Sequence, residues 1–294
     1  MSVPRLPGSL ARRAAYAMVL LLPSLVVLVP FFLVPLCVMA AYSVYRYIPG
    51  GGTGTTFTFE NYSQFLTDGF YLRILLDTLV MGTVVSLVSL VLSFPIAFTL
   101  ARSRSRWRGL LMVIVLVPLM ISTVVRTYGW MILLAGGGVV SNTVNDVLGV
   151  FGFGPAPLMF NFTGTVIALT EVLMPFMILT LVGSIQHIDP ALEDSVRSLG
   201  GGRWRVFRDV ILPLSRPGIA AGTVLVFILS ISAFATPKLV GGATTKVMAT
   251  LVFDRATTLL NWPFASAISF VLVVLVLALV VVQGRLLAAS RRWA

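Results

Sequence analysis

Long stretches without a charged residue constrain the fold of this chain more than any other feature. Three of them, 14–45, 78–101 and 256–284, each exceed the about 20 apolar residues that a helix needs to cross a bilayer. They are apolar on every face, whereas strands of a membrane barrel alternate apolar and polar side chains. We therefore expect membrane-spanning helices, and a mean hydropathy of +1.00 with only 11% charged residues agrees with a chain surrounded by lipid.

Three further stretches complete a prediction of six transmembrane helices. Residues 217–237 carry no charge, and two other apolar stretches each contain a single charge, Arg126 or Glu171. The expected fold is an all-α integral membrane protein with an N-terminal segment, residues 1–15, and one membrane domain, residues 16–290. Its helices are predicted near 16–43, 74–101, 109–134, 158–183, 217–239 and 264–286. Prolines within these spans predict kinks, because neighbouring helices can satisfy the carbonyl groups that a proline leaves free.

Positive charges are distributed unevenly along the chain. If both termini lie in the cytoplasm, the segments on that side hold 15 of the 21 Lys and Arg residues and 4 of the 10 acidic residues. Because cytoplasmic loops of membrane proteins are enriched in Lys and Arg, this distribution predicts that the N- and C-termini are both cytoplasmic. It also accounts for the net charge of +11, so no nucleic-acid partner is expected.

The longest predicted cytoplasmic segment, residues 184–216, lies between the fourth and fifth spans. Asp189 is suited to cap a helix that begins at Pro190, and the glycines 200–202 are suited to end it. Residues at helical spacing form a small apolar stripe on this helix: Leu192, Ser195, Val196 and Leu199. The residues alone leave two interpretations open, a hairpin lying on the inner leaflet or a docking surface for another protein.

This segment resembles the EAA loop of ABC-importer permeases, whose pattern is Glu-Ala-Ala, three residues, Gly, nine residues, Ile, one residue and Leu-Pro. The matching residues are Asp194, Ser195, Val196, Gly200, Val210, Leu212 and Pro213. In the family this loop forms a coupling helix that docks on the ATPase. The resemblance therefore implies docking through these residues together with Glu193, Leu199 and Phe207. The departures are an aspartate in place of the glutamate, and serine and valine in place of the two alanines.

Other short motifs are similar to those of spermidine/putrescine permeases. They are Phe94-Pro95, Arg126-Thr-Tyr-Gly-Trp130, Met174-Pro-Phe176, Pro213-Leu-Ser-Arg-Pro-Gly218, and Thr236-Pro237 followed by Gly241-Gly242. The chain is identified as a member of the type I (MetI-like) ABC permeases, polyamine subgroup, of the bacterial inner membrane. The resemblance implies three partners: a second homologous permease subunit, a cytoplasmic ATPase dimer and a periplasmic substrate-binding protein. Opines, other amines and aminoalkylphosphonates remain alternative substrates.

The sequence contains no recognisable catalytic, nucleotide-binding or metal-binding motif. There is no G-x-x-x-x-G-K-[ST] phosphate-binding loop, and one histidine and one cysteine offer little for a metal site. We expect a non-enzymatic subunit without catalytic, cofactor-binding or metal-binding residues, and ATP and Mg on the partner ATPase. A standalone secondary transporter is less favoured, because it would need its own coupling-ion site and often an inverted repeat.

An ionisable side chain within a span is a candidate for function by default. Glu171 could offer a carboxylate to a polyammonium substrate, or it could pair with Arg126 or bond to hydroxyl groups of adjacent helices. Asp77 and Asp254, predicted at the outer side, could face an arriving cation or could be solvated. These three acids are the predicted residues of the substrate path.

Overall fold

The computed structural model describes residues 8–50, 52–103 and 105–290. Part of the predicted N-terminal segment, residues 1–7, lies outside the described residues, as do three arginines of the basic clusters, Arg104, Arg291 and Arg292. The helices in chain order are α1 (Gly8–Ser43), α2 (Glu60–Thr67), α3 (Gly69–Arg102), α4 (Arg108–Met120), α5 (Thr123–Leu134), α6 (Val139–Val150), α7 (Phe162–Gln186), α8 (Pro190–Ser198), α9 (Arg203–Val206), α10 (Leu212–Leu214), α11 (Arg216–Ile231), α12 (Met248–Phe253) and α13 (Trp262–Ser290). Turns of π-helix lie at Phe207–Ile211, Pro237–Gly241 and Asp254–Thr258.

Helices α3, α7 and α11 pack on one another and enclose the main apolar core. Three glycines stand where these helices approach most closely. A Cβ atom on Gly82 would lie 2.6 Å from a methyl carbon of Ile231, and one on Gly222 would lie 2.7 Å from the sulfur of Met177. One on Gly218 would overlap the side chain of Ser184. Small residues allow this contact, as is usual where helices associate within a membrane.

Between four and six helical segments in the described part of the chain are able to span a bilayer. Single helices long and apolar enough are Leu22–Ser43 within α1, then α3, α7, and Trp262–Val282 within α13. Two bent helix pairs raise the number to six if each pair is one span: α4 with α5, and Arg203–Leu214 with α11. The protein is therefore a mostly helical membrane protein, and six spans is the upper value of this range.

The predicted third span, 109–134, is not one straight helix. Helix α4 ends at Met120, α5 begins at Thr123, and their axes differ by 99°. Pro118 has no backbone N–H, so the last turn of α4 loses a hydrogen bond. The two residues that follow α4 then adopt extended conformations, with ψ of 135° and 132°.

The predicted fifth span, 217–239, is also interrupted. Helix α11 ends at Ile231, and the chain becomes helical again only just before the π-helical turn Pro237–Gly241. Pro237 cannot donate a hydrogen bond to the carbonyl group of Ala233, four residues earlier, so an unbroken helix through this stretch would lose that bond. The axis of α11 also differs by 63° from that of the helical segment Arg203–Leu214 that precedes it.

A hairpin and a short helix follow α1. Strands β1 (Tyr45–Ile48) and β2 (Gly52–Phe57) pair antiparallel, with Tyr47 opposite Thr53 and Gly50 in the turn at φ +103°. The side-chain amide of Asn61 in α2 donates to the carbonyl groups that flank the start of the hairpin, at 2.9 Å each. These bonds fix the hairpin to α2 at the end of α1.

Candidate coupling segment and charged pairs of the spans

Helix α8 has well-defined signals at both ends. The Asp189 carboxylate accepts a hydrogen bond from the backbone N–H of Ala191 at 2.9 Å, and Pro190 occupies the first turn, where it needs no donor. Gly200 lies at φ +78°, a left-handed conformation that favours glycine, and its N–H donates to the carbonyl oxygen of Arg197 at 3.0 Å. The local sequence thus sets the length of the helix.

One side chain fixes α8 to the membrane domain. Glu193 is the buried residue of this helix, with a side chain only 7% exposed, and its Oε1 lies 2.8 Å from Nε of Arg102, the last residue of α3. Arg102 also donates from Nη2 to the carbonyl oxygen of Ile188 at 2.9 Å. The other carboxylate oxygen lies 3.4 Å from Nη2 of Arg197. Glu193 and Arg102 therefore join α3, the turn before α8, and α8 itself.

The predicted apolar stripe of α8 faces away from this anchor. Leu192 and Leu199 have 46% and 83% of their surface exposed, and Ser195 is exposed beside them. Asp194 is exposed as well, whereas Val196 is half-buried. In the described part of the chain, α8 is thus held to α3 by Glu193, while Leu192 and Leu199 remain exposed.

The second half of the predicted docking segment packs against α3. The ring of Phe207 meets that of Phe94 edge-on, with centroids 5.5 Å apart and planes at 87°. Val210 is buried, Leu212 is exposed and Pro213 is half-buried in the short helix α10. Phe207 also lines one cavity together with Glu193, so the two halves of the segment meet at the end of α3.

The two charges predicted within spans form a pair. Nη2 of Arg126 on α5 lies 3.4 Å from Oε2 of Glu171 on α7, and the indole N–H of Trp130 donates to the same oxygen at 3.0 Å. Arg126 further donates from Nη1 to the carbonyl oxygen of Pro118 at 2.6 Å, across the break between α4 and α5. The guanidinium group is thus held between the bend and α7, and a pairing that the sequence left open is present.

The other two acids of the predicted substrate path lie apart from this pair. Asp254 lies 2.6 Å from Nζ of Lys238, and Asp77 is exposed on α3. Within the described residues, no hydrogen bond or ion pair joins either acid to Glu171. Nor do His, Cys, Asp and Glu side chains there form a group of three that could hold a metal ion.

Sequence reasoning missed two residues of these sites. Arg102 was not singled out, although its place at the end of an apolar span could have marked it as a helix anchor. Trp130 was part of a motif but not predicted as a partner of Glu171. Outside these sites, a contact of Arg255 was also missed: it donates to the Tyr71 hydroxyl at 2.8 Å and lies over the Phe264 ring. Nothing in the local sequence of Arg255 indicates this contact.

Known proteins resemble this chain over most of its length. The spermidine/putrescine transport system permease protein PotB of Escherichia coli (strain K12) is 33% identical over 229 residues, which cover 78% of this chain and 82% of that protein. The inner membrane ABC transporter permease protein YdcU of the same strain is 30% identical over 213 residues, 69% of this chain and 68% of that protein.

A solved structure shares the fold. A chain in the crystal structure of a bacterial alginate ABC transporter, in complex with an alginate pentasaccharide-bound periplasmic protein, superposes with a TM-score of 0.72. The match covers 92% of this chain and 93% of that chain at 20% identity. At this identity the likeness concerns the fold alone.

Residues 89–291, more than half of the chain, match the family model described as binding-protein-dependent transport system inner membrane component. Members of that family are multi-pass proteins of the inner membrane, are not catalytic, and carry no cofactor themselves. The chain belongs to this family, the MetI-like permease subunits of binding-protein-dependent ABC importers.

Proposed function

We propose that this chain is a permease subunit of an importer for polyamines, and that it forms half of the path for spermidine and putrescine. The observation that supports polyamines as the substrate is the 33% identity to a spermidine/putrescine permease over 78% of the chain. Two partially exposed acids, Glu171 and Asp254, and the exposed Asp77 are compatible with a cationic solute. The second half of the path would come from a homologous permease subunit.

The proposed orientation places both termini, and the segment 184–216, in the cytoplasm. There α8 would dock on an ATPase dimer that binds ATP and Mg, while a periplasmic binding protein delivers the solute on the opposite side. ATP binding would close the ATPase dimer and open the permease pair outward, and hydrolysis would reset it inward. The strong enrichment of Lys and Arg in the segments assigned to the cytoplasm supports this orientation.

The exposed side of α8 supports its role as the docking surface. Leu192 and Leu199 are apolar and uncovered within the described residues, as expected of side chains that a partner protein covers. Glu193 supports the role in a different way, since its ion pair with Arg102 links α8 to α3. A displacement of α8 by the ATPase would then reach the spans through a fixed contact. The remaining proposed docking residues are Asp194, Ser195, Val196, Gly200, Phe207, Val210, Leu212 and Pro213.

Glu171 is the acid that we assign to the substrate path. Its side chain is 36% exposed, and Trp130 donates to one carboxylate oxygen. Arg126 already pairs with this carboxylate and partly neutralises its charge. A polyammonium ion would therefore have to compete with Arg126 for Glu171. A site that binds its solute weakly and transiently is suited to a transport path.

The test is uptake of radiolabelled spermidine and putrescine into proteoliposomes. They contain this chain with the permease, ATPase and binding protein encoded beside it, with ATP present or absent. We expect ATP-dependent uptake, and a reduction of about tenfold in Glu171→Gln, the loss of one charged contact. Glu60→Gln, which removes the acid of the exposed Arg46–Glu60 ion pair (3.6 Å), is the matched control and should leave uptake unchanged.

The outcome separates architecture from substrate. No stimulation of ATP hydrolysis by any binding protein would contradict the importer assembly. Stimulated hydrolysis without polyamine uptake would contradict the polyamine proposal alone. The second candidate is then an importer for another small solute, an alternative favoured by the direct ion pair between Arg126 and Glu171, which neutralises the acid.

A further inference from the structure

Two adjoining cavities lie beside residues 184–216, the predicted docking segment, which is called the coupling segment below. The first, here called the apolar groove, is a cavity of about 460 Å³ between the second half of α3 and residues 207–219. Its walls are hydrophobic side chains that include Leu90, Val91, Phe94, Leu212 and Ile219. Pro95 lies in the wall as well, at the one proline of α3.

The second cavity, here called the arginine pocket, has a volume of about 360 Å³ and lies at the end of α3. Its charged lining residues are Arg102, Arg197, Arg203 and Glu193. Phe98 and Phe207 line both cavities, so the apolar groove and the arginine pocket adjoin at these two rings. A hydrophobic surface and a positively charged one therefore lie next to each other.

The charges of the arginine pocket are not fully balanced within the described residues. Three arginines and Glu193 line the pocket, and Asp194 pairs with Arg197 from outside the lining, which leaves an excess of one positive charge. Glu193 pairs with Arg102 and Arg197. Arg203 has no ion pair or side-chain hydrogen bond within the described residues. The site therefore offers an uncompensated guanidinium group next to a hydrophobic groove.

We infer that this site binds an anionic phospholipid, with an acyl chain in the apolar groove and the phosphate group on Arg203. A phospholipid matches both ends of the site, whereas free phosphate would match only the arginine pocket. Basic pockets between membrane helices on the cytoplasmic side commonly receive acidic headgroups. The volumes of both cavities lie within the usual range for ligand sites.

The position of the site gives the lipid a consequence for coupling. Glu193 and Arg197 belong to α8, and Phe207 belongs to the second half of the coupling segment. A bound lipid would contact α3, α8 and the segment 207–219 at once and would hold them together. The inference rests on the orientation proposed above, which places this segment at the cytoplasmic face, but it does not depend on the polyamine substrate and goes beyond it.

The test is native mass spectrometry of the full-length chain, purified in detergent with its partner subunits. The complex is titrated with phosphatidylglycerol, which is anionic, or with phosphatidylcholine, which is zwitterionic. We expect phosphatidylglycerol to bind more tightly than phosphatidylcholine. Arg203→Gln should weaken phosphatidylglycerol binding about tenfold, the loss of one charged contact.

Two matched pairs of variants locate the lipid. Arg208→Gln removes an exposed positive charge from the same segment but outside both cavities, so it should leave binding unchanged. Val91→Trp fills the apolar groove and should weaken binding of both lipids. Val80→Trp, another exposed valine of α3 outside both cavities, should not. Val91 and Val80 are 70% and 51% exposed, so both variants should fold, as size-exclusion profiles can verify.

Three results would overturn the inference. Equal affinities for the two lipids would show that the headgroup charge is not recognised. Equal losses in Arg203→Gln and Arg208→Gln would show attraction to the basic surface as a whole. Displacement of phosphatidylglycerol by millimolar inorganic phosphate, to the same extent in wild type and Val91→Trp, would show an anion pocket that does not use the groove.

Discussion

The ion pair at the coupling segment and the ion pair in the spans are built in opposite ways. At the coupling segment the acid is the more buried partner, since the Glu193 side chain is 7% exposed and that of Arg102 19%. In the spans the base is the more buried partner, since the Arg126 side chain is 9% exposed and that of Glu171 36%.

This difference matches the role that we propose for each pair. A buried carboxylate with two arginine partners is fixed in place, so a displacement of α8 would be passed on to α3. A partially exposed carboxylate keeps an oxygen available to a solute, while its buried partner, Arg126, holds the bend between α4 and α5 through the Pro118 carbonyl group. We therefore expect stability to depend mainly on the first pair and substrate passage mainly on the second.

Loss of Glu193 should have the largest effect on stability. Glu193→Gln leaves Arg102 without its carboxylate partner, and removal of one member of a buried pair costs about 3 kcal/mol. Hydrogen exchange of the α8 amides in the purified transporter measures this cost as a lower free energy of local opening. Uptake should fall as well, because α8 would no longer move with α3.

The control for this variant is Asp194→Asn on the same helix. Asp194 pairs with Arg197 at 3.0 Å, but both side chains are more than half exposed. Exposed pairs contribute about 0.5 kcal/mol. If the two variants changed amide exchange equally, burial of Glu193 would not be the cause, and the comparison of the two ion pairs would fail.

Gly200→Ala should have the next largest effect. At φ +78° an alanine is strained, which costs about 1–2 kcal/mol. None of the described atoms lies within 4 Å of a Cβ at Gly200, so backbone strain is the expected cost. Gly202→Ala has equally open surroundings but a φ of −72°, and it should leave α8 exchange unchanged. Equal effects of the two alanines would show that the left-handed turn does not hold α8 in position.

Local signals made much of the coupling segment predictable. Asp189, Pro190 and the glycines that follow indicate the start and end of α8, and composition indicates helices that cross a membrane. Helical periodicity also located the apolar stripe with Leu192 and Leu199. It could not say that Glu193, next to the stripe, would be buried, because that depends on Arg102, which is distant in sequence and close only in the fold.

Bends and outer elements were harder to predict. Prolines predicted kinks, but the 99° break after Pro118 also depends on the extended backbone at Ile121 and Ser122. Helices α2 and α6 and the hairpin are short or weakly apolar, so a search for long apolar stretches does not detect them. Their positions depend on tertiary bonds such as those of Asn61 to the chain at the end of α1.

The variant with the smallest expected effect tests which side chain positions the Glu171 carboxylate. Trp130→Phe removes the hydrogen bond to Glu171 but keeps an aromatic ring, and one such bond contributes about 1 kcal/mol. A double-mutant cycle with Glu171→Met, which removes the acceptor oxygen and keeps a similar length, is measured by thermal unfolding of the purified protein and isolates this contribution. If Trp130→Phe cost the same in the wild-type protein and in the Glu171→Met variant, the indole would act only through packing. In that case Arg126 alone would position the carboxylate, and polyamine uptake should be insensitive to Trp130→Phe.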